Sequence, residues 1–306
     1  MASAQHCRLQ RVCGQAYSHL AVCAAIGGAA LGPTRAKSET HLDDDPADCK
    51  IDVASEGRGL FVTRPMKQGE IILQDTAVLD SACPQTNMEQ IFSNNREPMR
   101  LSREPIWGLA ANFVRLFLQS SHGTRALPAV CVGTEGSQEA SQRWQYFDRF
   151  YRPHHQDTHS TVYQLHAEEI HKAMNAEIRQ LVPCEAVADL LQVVRLDAHV
   201  VRGRDMANGL GLFFWLHIAN HSCCPNAFFN TRQTIQEGST HEAQRAQAIL
   251  RALRPLEAGD EVCISYVDGR TLLSSVHVRR RVIQDQFGFL CMCTRCREEE
   301  DRLRKA

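Results

Sequence analysis

Hydrophobic positions in this chain fall into two regimes: short β-branched runs broken by tight turns, and a central stretch at helical spacing. Leu60-Phe61-Val62-Thr63 and Ile71-Ile72-Leu73 flank Arg64-Pro65-Met66-Lys67-Gln68-Gly69-Glu70. β-branched and aromatic residues on either side of a Pro-to-Gly turn predict strand, turn, strand from Gly59 to Leu73. The pattern returns once, with Ala248-Ile249-Leu250 and Val262-Cys263-Ile264 around Arg254-Pro255-Leu256-Glu257-Ala258-Gly259-Asp260. Two occurrences make repeated hairpin chemistry rather than a solenoid. Short strands and tight turns predict small twisted sheets.

From Thr76 to about Arg195 the period changes. Pro105 to Leu118 carries apolar residues every three or four positions behind a Pro, which predicts a helix. Tyr163 to Leu181 and Cys184 to Val194 predict two more, separated by Pro183. Further on, Leu210-Gly211-Leu212-Phe213-Phe214-Trp215-Leu216 is apolar throughout and predicts a buried segment. It delivers Asn220-His221-Ser222-Cys223-Cys224-Pro225-Asn226, which on its own also suits an ordinary turn.

Composition narrows the class. The chain has 306 residues, 43% hydrophobic and 23% charged, enough for one large domain or two modest ones. Net charge is −1, with no long block of Lys or Arg before the C-terminal end. The totals show no basic face of the kind that binds nucleic acid, and direct nucleic-acid binding is not expected. No apolar run approaches the ~18–20 residues of a membrane helix. The 13 cysteines are odd in number and scattered apart from one tight cluster. That usage predicts a reducing compartment, one zinc site and several buried thiols.

Residues 1–49 read as a disordered leader and linker. Met1 to Ser38 holds Arg8, Arg11, Arg35 and Lys37, no Asp or Glu, and an Ala-rich apolar stretch. This is either a mitochondrial presequence or a weakly selected leader. Asp43-Asp44-Asp45-Pro46 follows as a polar linker, and the folded part is expected to begin near Lys50 or Ile51. Localisation is left between cytoplasm, nucleus and mitochondrion.

Four motifs in order carry the chemistry. Glu56-Gly57-Arg58-Gly59-Leu60-Phe61 opens the first strand segment, and the Asn220–Asn226 loop comes second. Gly259-Asp260-Glu261-Val262-Cys263-Ile264-Ser265-Tyr266-Val267-Asp268 is a turn feeding a strand that ends on a tyrosine. Phe287-Gly288-Phe289-Leu290-Cys291-Met292-Cys293-Thr294-Arg295-Cys296 is a C-x-C-x2-C cluster behind two aromatics. Together they resemble the SET-domain lysine methyltransferases, and most of all the SET-and-MYND branch, over roughly residues 56–80 and 190–297. That branch carries a MYND zinc finger after the first strands. Here the region offers only Cys83, so the finger is expected to be absent.

The resemblance implies an α+β fold: small twisted β-sheets with a pseudoknot, a helical insert, and a zinc-binding tail termed post-SET. It divides the chain into a first SET part at 50–80, an insert at 81–195, a catalytic core at 196–270 and the tail at 271–306. S-adenosylmethionine is the implied methyl donor. Gly57, Arg58 and Gly59, Asn220 and His221, and Phe289 are its implied contacts, with Tyr266 catalytic and beside it. Glycine permits close backbone approach to a ligand, although a bare G-x-G also makes a plain strand entry. Asp197, where relatives usually have Asn, would accept from the cofactor's ammonium group. His217 stands where Ser is common.

A structural zinc takes four ligands in a tetrahedron. Cys291, Cys293 and Cys296 supply three, and the resemblance supplies Cys223 as the fourth rather than Cys224. Each residue also has a plain reading: Tyr266 as a strand-end tyrosine, His221 as a core histidine, Phe289 as packing, the cysteines as a lone knuckle or reduced thiols. The expected function is methylation of a lysine side chain on a protein or peptide by a monomeric enzyme. The alternatives are a non-catalytic SET-fold binding module and methylation of another residue such as histidine. Four thiolates would close the zinc to water, which disfavours a hydrolase.

Overall fold

The computed structural model describes residues 46–54, 57–82, 85–92, 104–122, 137–150, 160–202, 208–233 and 245–305. The leader up to residue 45, Glu56 and Cys83 lie outside the described residues. The chain divides into two compact units.

The first unit comprises Thr76–Phe214 and Thr231–Gln247. Its sheet has the order β4-β6-β5, from Leu79–Asp80, Asn208–Leu212 and Ala198–Arg202. Helices α1 (Gln85–Ile91), α2 (Pro105–His122), α3 (Ser137–Asp148), α4 (Ser160–Ala173), α5 (Ala176–Leu181) and α6 (Cys184–Asp197) make up the rest. The predicted helix from Tyr163 to Leu181 is two, because Asn175 interrupts it and caps α5 by accepting from the Ile178 N–H at 2.9 Å. Helix α3 was not legible as a periodic run. Its Trp144 and Phe147 pack on Phe113 and Phe117 of α2, and its Arg143 is buried with Nε donating to the Val78 carbonyl at 2.9 Å. Gly108 lets α2 lie against the β4 end, since a Cβ there would sit 2.1 Å from the Ser81 carbonyl oxygen.

The second unit takes the described residues up to Asp75, then Trp215–Asn230 and the chain from Ala248 onward. A four-stranded sheet has the order β1-β2-β10-β7, from Cys49–Ala54, Gly57–Val62, Glu261–Ile264 and Asn220–His221. A three-stranded sheet has the order β3-β9-β8, from Ile71–Thr76, Ala246–Ala252 and Ala227–Gln233. Short helices α7 (Phe214–Ile218) and α8 (Gly269–Leu273) precede α9 (Val276–Phe287) and α10 (Thr294–Lys305). The apolar run is buried as expected, and it changes form at Phe213, between the end of β6 at Leu212 and the start of α7 at Phe214.

The two strand-turn-strand segments are not hairpins. β2 pairs with β10, while β3 pairs with β9, so each segment arches from one sheet to the other and the two arches pair with each other. At their middles Met66 and Leu256 exchange backbone bonds of 2.8 and 3.0 Å. The chemistry of the turns is duplicated too. Gly69 and Gly259 both take positive φ, at 80° and 90°. The Glu70 carboxylate accepts from the Lys67 N–H at 2.8 Å, as the Asp260 carboxylate accepts from the Glu257 N–H at 3.0 Å. A Pro-to-Gly turn specifies a chain reversal; it does not say which strand the reversed chain will join. β2 instead has its sequence neighbour β1 as an antiparallel partner, with Cys49 opposite Val62 and Ala54 opposite Gly57.

Candidate functional site

The sulfur cluster is built from two segments of the chain. Cys223 lies two residues beyond the end of β7. Helix α9 ends at Gly288, whose left-handed conformation (φ 79°) turns the chain out of the helix and into the Cys291–Cys293 loop. Cys296 sits in the first turn of α10. The sulfurs of Cys223, Cys291, Cys293 and Cys296 all lie within 4.8 Å of one another. Cys223 is 3.8 Å from Cys291 and 3.6 Å from Cys296. These are non-bonded separations, close to the ~3.8 Å edge of a tetrahedron with Zn–S distances of ~2.3 Å. Cys224 is exposed and outside the group. Val267, Val276 and Ile283 surround the sulfurs, with Phe287 and Phe289 packed against them.

The thiols perturb one another strongly. Hydrogen bonding to Cys291 and Cys293, with burial, pushes Cys223 far up, while bonds from Cys223 and Cys291 pull Cys293 far down. Four touching sulfurs cannot all lose their protons without a cation among them. The donor set therefore suits zinc: soft, tetrahedral and shut to water.

Three arginines to which the sequence assigned no role surround the cluster. Arg279, fully buried on α9, donates to the Cys296 sulfur at 3.5 Å and to Glu299 at 2.9 Å. Burial opposes its charge, but the bonds to Cys296, Glu299 and Cys223 outweigh that and raise its pKa. Arg280 Nε donates to the Cys291 carbonyl at 3.0 Å, and Arg295 to the Cys223 carbonyl at 2.9 Å. A run of Arg in a helix ordinarily reads as a solvated face, so no signal distinguished Arg279 and Arg280; Arg295 stood inside the cysteine motif without an assigned role.

The loop from Asn220 to Asn226 is fixed to β2 and β10. Asn220 lies opposite Cys263 and His221 opposite Ile264 in a parallel pair. The Asn220 amide donates to the Arg58 carbonyl at 3.1 Å and to Glu261 Oε1 at 2.8 Å. Gly59 is needed for this approach: a Cβ there would lie 2.8 Å from Glu261 Oε1, 2.9 Å from Ala54 Cβ and 3.2 Å from Asn220 Nδ2. Asn226 does the work of a strand neighbour, donating to the Glu261 carbonyl at 2.7 Å and accepting from the Cys263 N–H at 2.8 Å. Upstream, buried Asp75 accepts from the Leu216 N–H at 2.8 Å at the start of α7. Burial pushes its carboxyl up to about 7, against the lowering effect of the Leu216 and Trp215 N–H bonds.

Tyr266 stands two residues beyond β10. Its hydroxyl donates to the Ala219 carbonyl at 2.9 Å, and its backbone N–H donates to His221 Nδ1 at 3.0 Å. The rings of His221, Phe287 and Phe289 lie 5.3, 5.1 and 6.4 Å from the Tyr266 ring. His221 is buried, and Nε2 is 3.4 Å from the Cys223 sulfur. Of the residues predicted for the site, Gly57, Arg58, Gly59, Asn220, His221, Tyr266, Phe289 and the four cysteines belong to the second unit. Asp197 belongs to the first, buried at the C-terminal end of α6. With its proton engaged by a backbone carbonyl, the Tyr266 hydroxyl presents an acceptor oxygen rather than a general base.

Comparison with known proteins gives the frame. Residues 57–267 match the SET domain family model. The histone-lysine N-methyltransferase SET5 of Saccharomyces cerevisiae is 35% identical over 88 residues, 29% of this chain and 14% of its own length. The protein-lysine N-trimethyltransferase SMYD5 of Homo sapiens is 34% identical over 93 residues, 30% and 20% of the two chains. The histone-lysine N-methyltransferase SMYD3 of Mus musculus is 35% identical over 92 residues, 30% and 18%. The matches thus span no more than a fifth of these relatives. Among solved structures, the SET domain of LSMT bound to lysine and AdoHcy gives a TM-score of 0.44 at 13% identity, over 80% of this chain and 53% of that one.

Proposed function

We propose that this chain, which belongs to the SET-domain family, transfers a methyl group from S-adenosylmethionine to a lysine amine of a protein substrate. The observation that carries the reading is the Tyr266 hydroxyl, held by the Ala219 carbonyl within a wall of His221, Phe287 and Phe289. When bound, the cofactor supplies an electrophilic sulfonium methyl. Methyl transfer needs a neutral amine aligned with that methyl in a dry site, and lysine's reference pKa of about 10.4 makes desolvation part of the task. The Tyr266 oxygen accepts from the amine N–H and so orients its lone pair. The aromatic wall excludes water.

Gly57, Arg58, Gly59, Asn220 and the His221 backbone are proposed to line the cofactor, with Phe289 covering its adenine. Asp197 is proposed to meet its ammonium group. The four cysteines are proposed to hold a structural zinc that keeps Phe287 and Phe289 at the wall. The reading includes a monomer that binds no nucleic acid directly, in keeping with a net charge of −1.

Calorimetric titration with S-adenosylmethionine, together with methyl-group incorporation into a lysine-containing peptide library, tests this. Binding of one cofactor and labelled lysine are expected. A folded, zinc-loaded chain that binds no cofactor would overturn the enzyme reading.

A further inference from the structure

We propose that His221 is a positioning residue that ties the cysteine cluster to Tyr266, locked as its Nε2–H tautomer, so that metal loading fixes the tyrosine.

The tautomer follows from the partners. A backbone N–H can only donate, so Nδ1, 3.0 Å from the Tyr266 nitrogen, is an acceptor and carries no proton. In a neutral imidazole the proton then belongs to Nε2. Nε2 lies 3.4 Å from the Cys223 sulfur, and so it donates to that sulfur. A metal-bound thiolate accepts such a bond more strongly than a neutral thiol does, because charge-assisted bonds are the stronger class.

Tyr266 is fastened to one short segment at both its ends. Its hydroxyl is on the Ala219 carbonyl, and its N–H is on the side chain of His221, two residues later. The His221 bond carries the β7–β10 pairing past Ile264, where the strand itself stops. Ser222 continues the ladder by donating its N–H to the Ile264 carbonyl at 2.9 Å. Through one imidazole the fourth thiolate and the tyrosine therefore share a support. His221 acts through Tyr266 and need not touch the methyl group.

The inference rests on the methyltransferase reading only for the importance of Tyr266; its test needs no methyl transfer. Ring 15N shifts of His221 in the zinc-loaded full chain report the tautomer directly, and Nε2–H is expected. Two substitutions then separate the bonds. His221→Asn keeps an acceptor near the Nδ1 position but cannot reach the sulfur. His221→Gln puts an N–H donor near the Nε2 position but loses the acceptor. His221→Asn is expected to weaken zinc retention against a chelator about 10-fold or more, the range for outer-shell partners of metal ligands. His221→Gln is expected to hold zinc near the unsubstituted level while the Tyr266 amide exchanges with solvent faster.

An Nδ1–H tautomer, or identical effects of both substitutions on zinc and on the Tyr266 amide, would overturn the proposal. Should either variant fail to fold, the tautomer in the unsubstituted chain decides. An inactive chain with the Nε2–H tautomer and the split response would refute the methyltransferase reading and leave this linkage standing.

Discussion

The guanidinium of Arg279, wholly buried, lies 3.5 Å from the sulfur of Cys296. A cationic donor in that position would offset the negative charge of four thiolates around the proposed zinc, and Glu299 balances the arginine in turn. Arginine suits the place because its planar fork reaches the sulfur, the Glu299 carboxylate and the Ser274 carbonyl together.

Replacing it should be severe. Arg279→Met removes the buried partner of an ion pair whose carboxylate is partly exposed, together with the bonds to the Cys296 sulfur and the Ser274 carbonyl, and is expected to cost about 2 kcal/mol in urea unfolding. The pair also adds a pH dependence. Arg279 holds the Glu299 carboxyl below the ordinary carboxylate range. Stability from this source is thus present above the unfolded carboxylate pKa and is lost as pH falls through the lower, folded value. Acid titration should show this component larger in the parent than in Arg279→Met, where the Val276 N–H bond still holds the carboxylate.

Metal removal should act at a distance. The purified chain is expected to hold one zinc, measured by elemental analysis, and Cys291→Ser to lose most of it. Phe287 and Phe289 pack on the cluster, so cofactor binding should fall with the metal. Cofactor affinity unchanged after zinc removal would contradict that dependence.

Tyr266→Phe deletes only the hydroxyl. Because that oxygen is proposed to orient the amine in the reacting complex, kcat should fall about 100- to 1,000-fold, as for other oriented polar groups at reacting centres. Cofactor affinity, measured by calorimetry, should change little.

Asp75 predicts a pH dependence of opposite sign. Its folded pKa, about 7, is raised above the unfolded value of about 3.9. The folded state therefore keeps a proton that the unfolded state has released. Stability should be highest near and below pH 4 as far as this group goes, and should fall as pH rises through 7, by up to about 4 kcal/mol. Asp75→Asn keeps an acceptor for the Leu216 N–H and should flatten that part of the profile in unfolding measured between pH 5 and 8.

Gly59→Ala introduces a Cβ into the space held by Glu261, Ala54 and Asn220. Separating Asn220 from Arg58 and Glu261 disturbs the wall proposed for the cofactor, so cofactor affinity should drop about 10-fold, the worth of one lost hydrogen bond of ~1.4 kcal/mol. Gly57→Ala would meet no neighbour but would be strained by its φ of 111°. It should destabilise the chain by about 1 kcal/mol with less effect on binding.

Local chemistry was legible where it depends on residue type at short range. The C-x-C-x2-C spacing pointed to metal, and the turn glycines Gly69 and Gly259 marked chain reversals. What stayed hidden was pairing across long separations. Nothing in Leu60–Leu73 says that its strands go to two sheets, because arches and hairpins use the same turn residues. Helix α3 escaped because its inward residues include Arg143, a polar group whose burial is made tolerable only by the Val78 carbonyl 65 positions away. The role of Arg279 was invisible for the same reason: its partners are settled by the packing of α9 against α10, not by its neighbours in sequence.

The reciprocal arches have a consequence for how the chain is made. The Arg251 guanidinium reaches the Gly69 carbonyl across 182 positions, and the strands on either side pair over comparable distances. Such long closures slow folding, since loop entropy is lost before any contact rewards it. While the later arch is still being synthesised, β2 and β3 present open edges that another chain can pair with. Nascent copies of this protein are therefore exposed to edge-to-edge aggregation until the second arch arrives, and its yield in a cell should depend on whatever shields those edges in the interval.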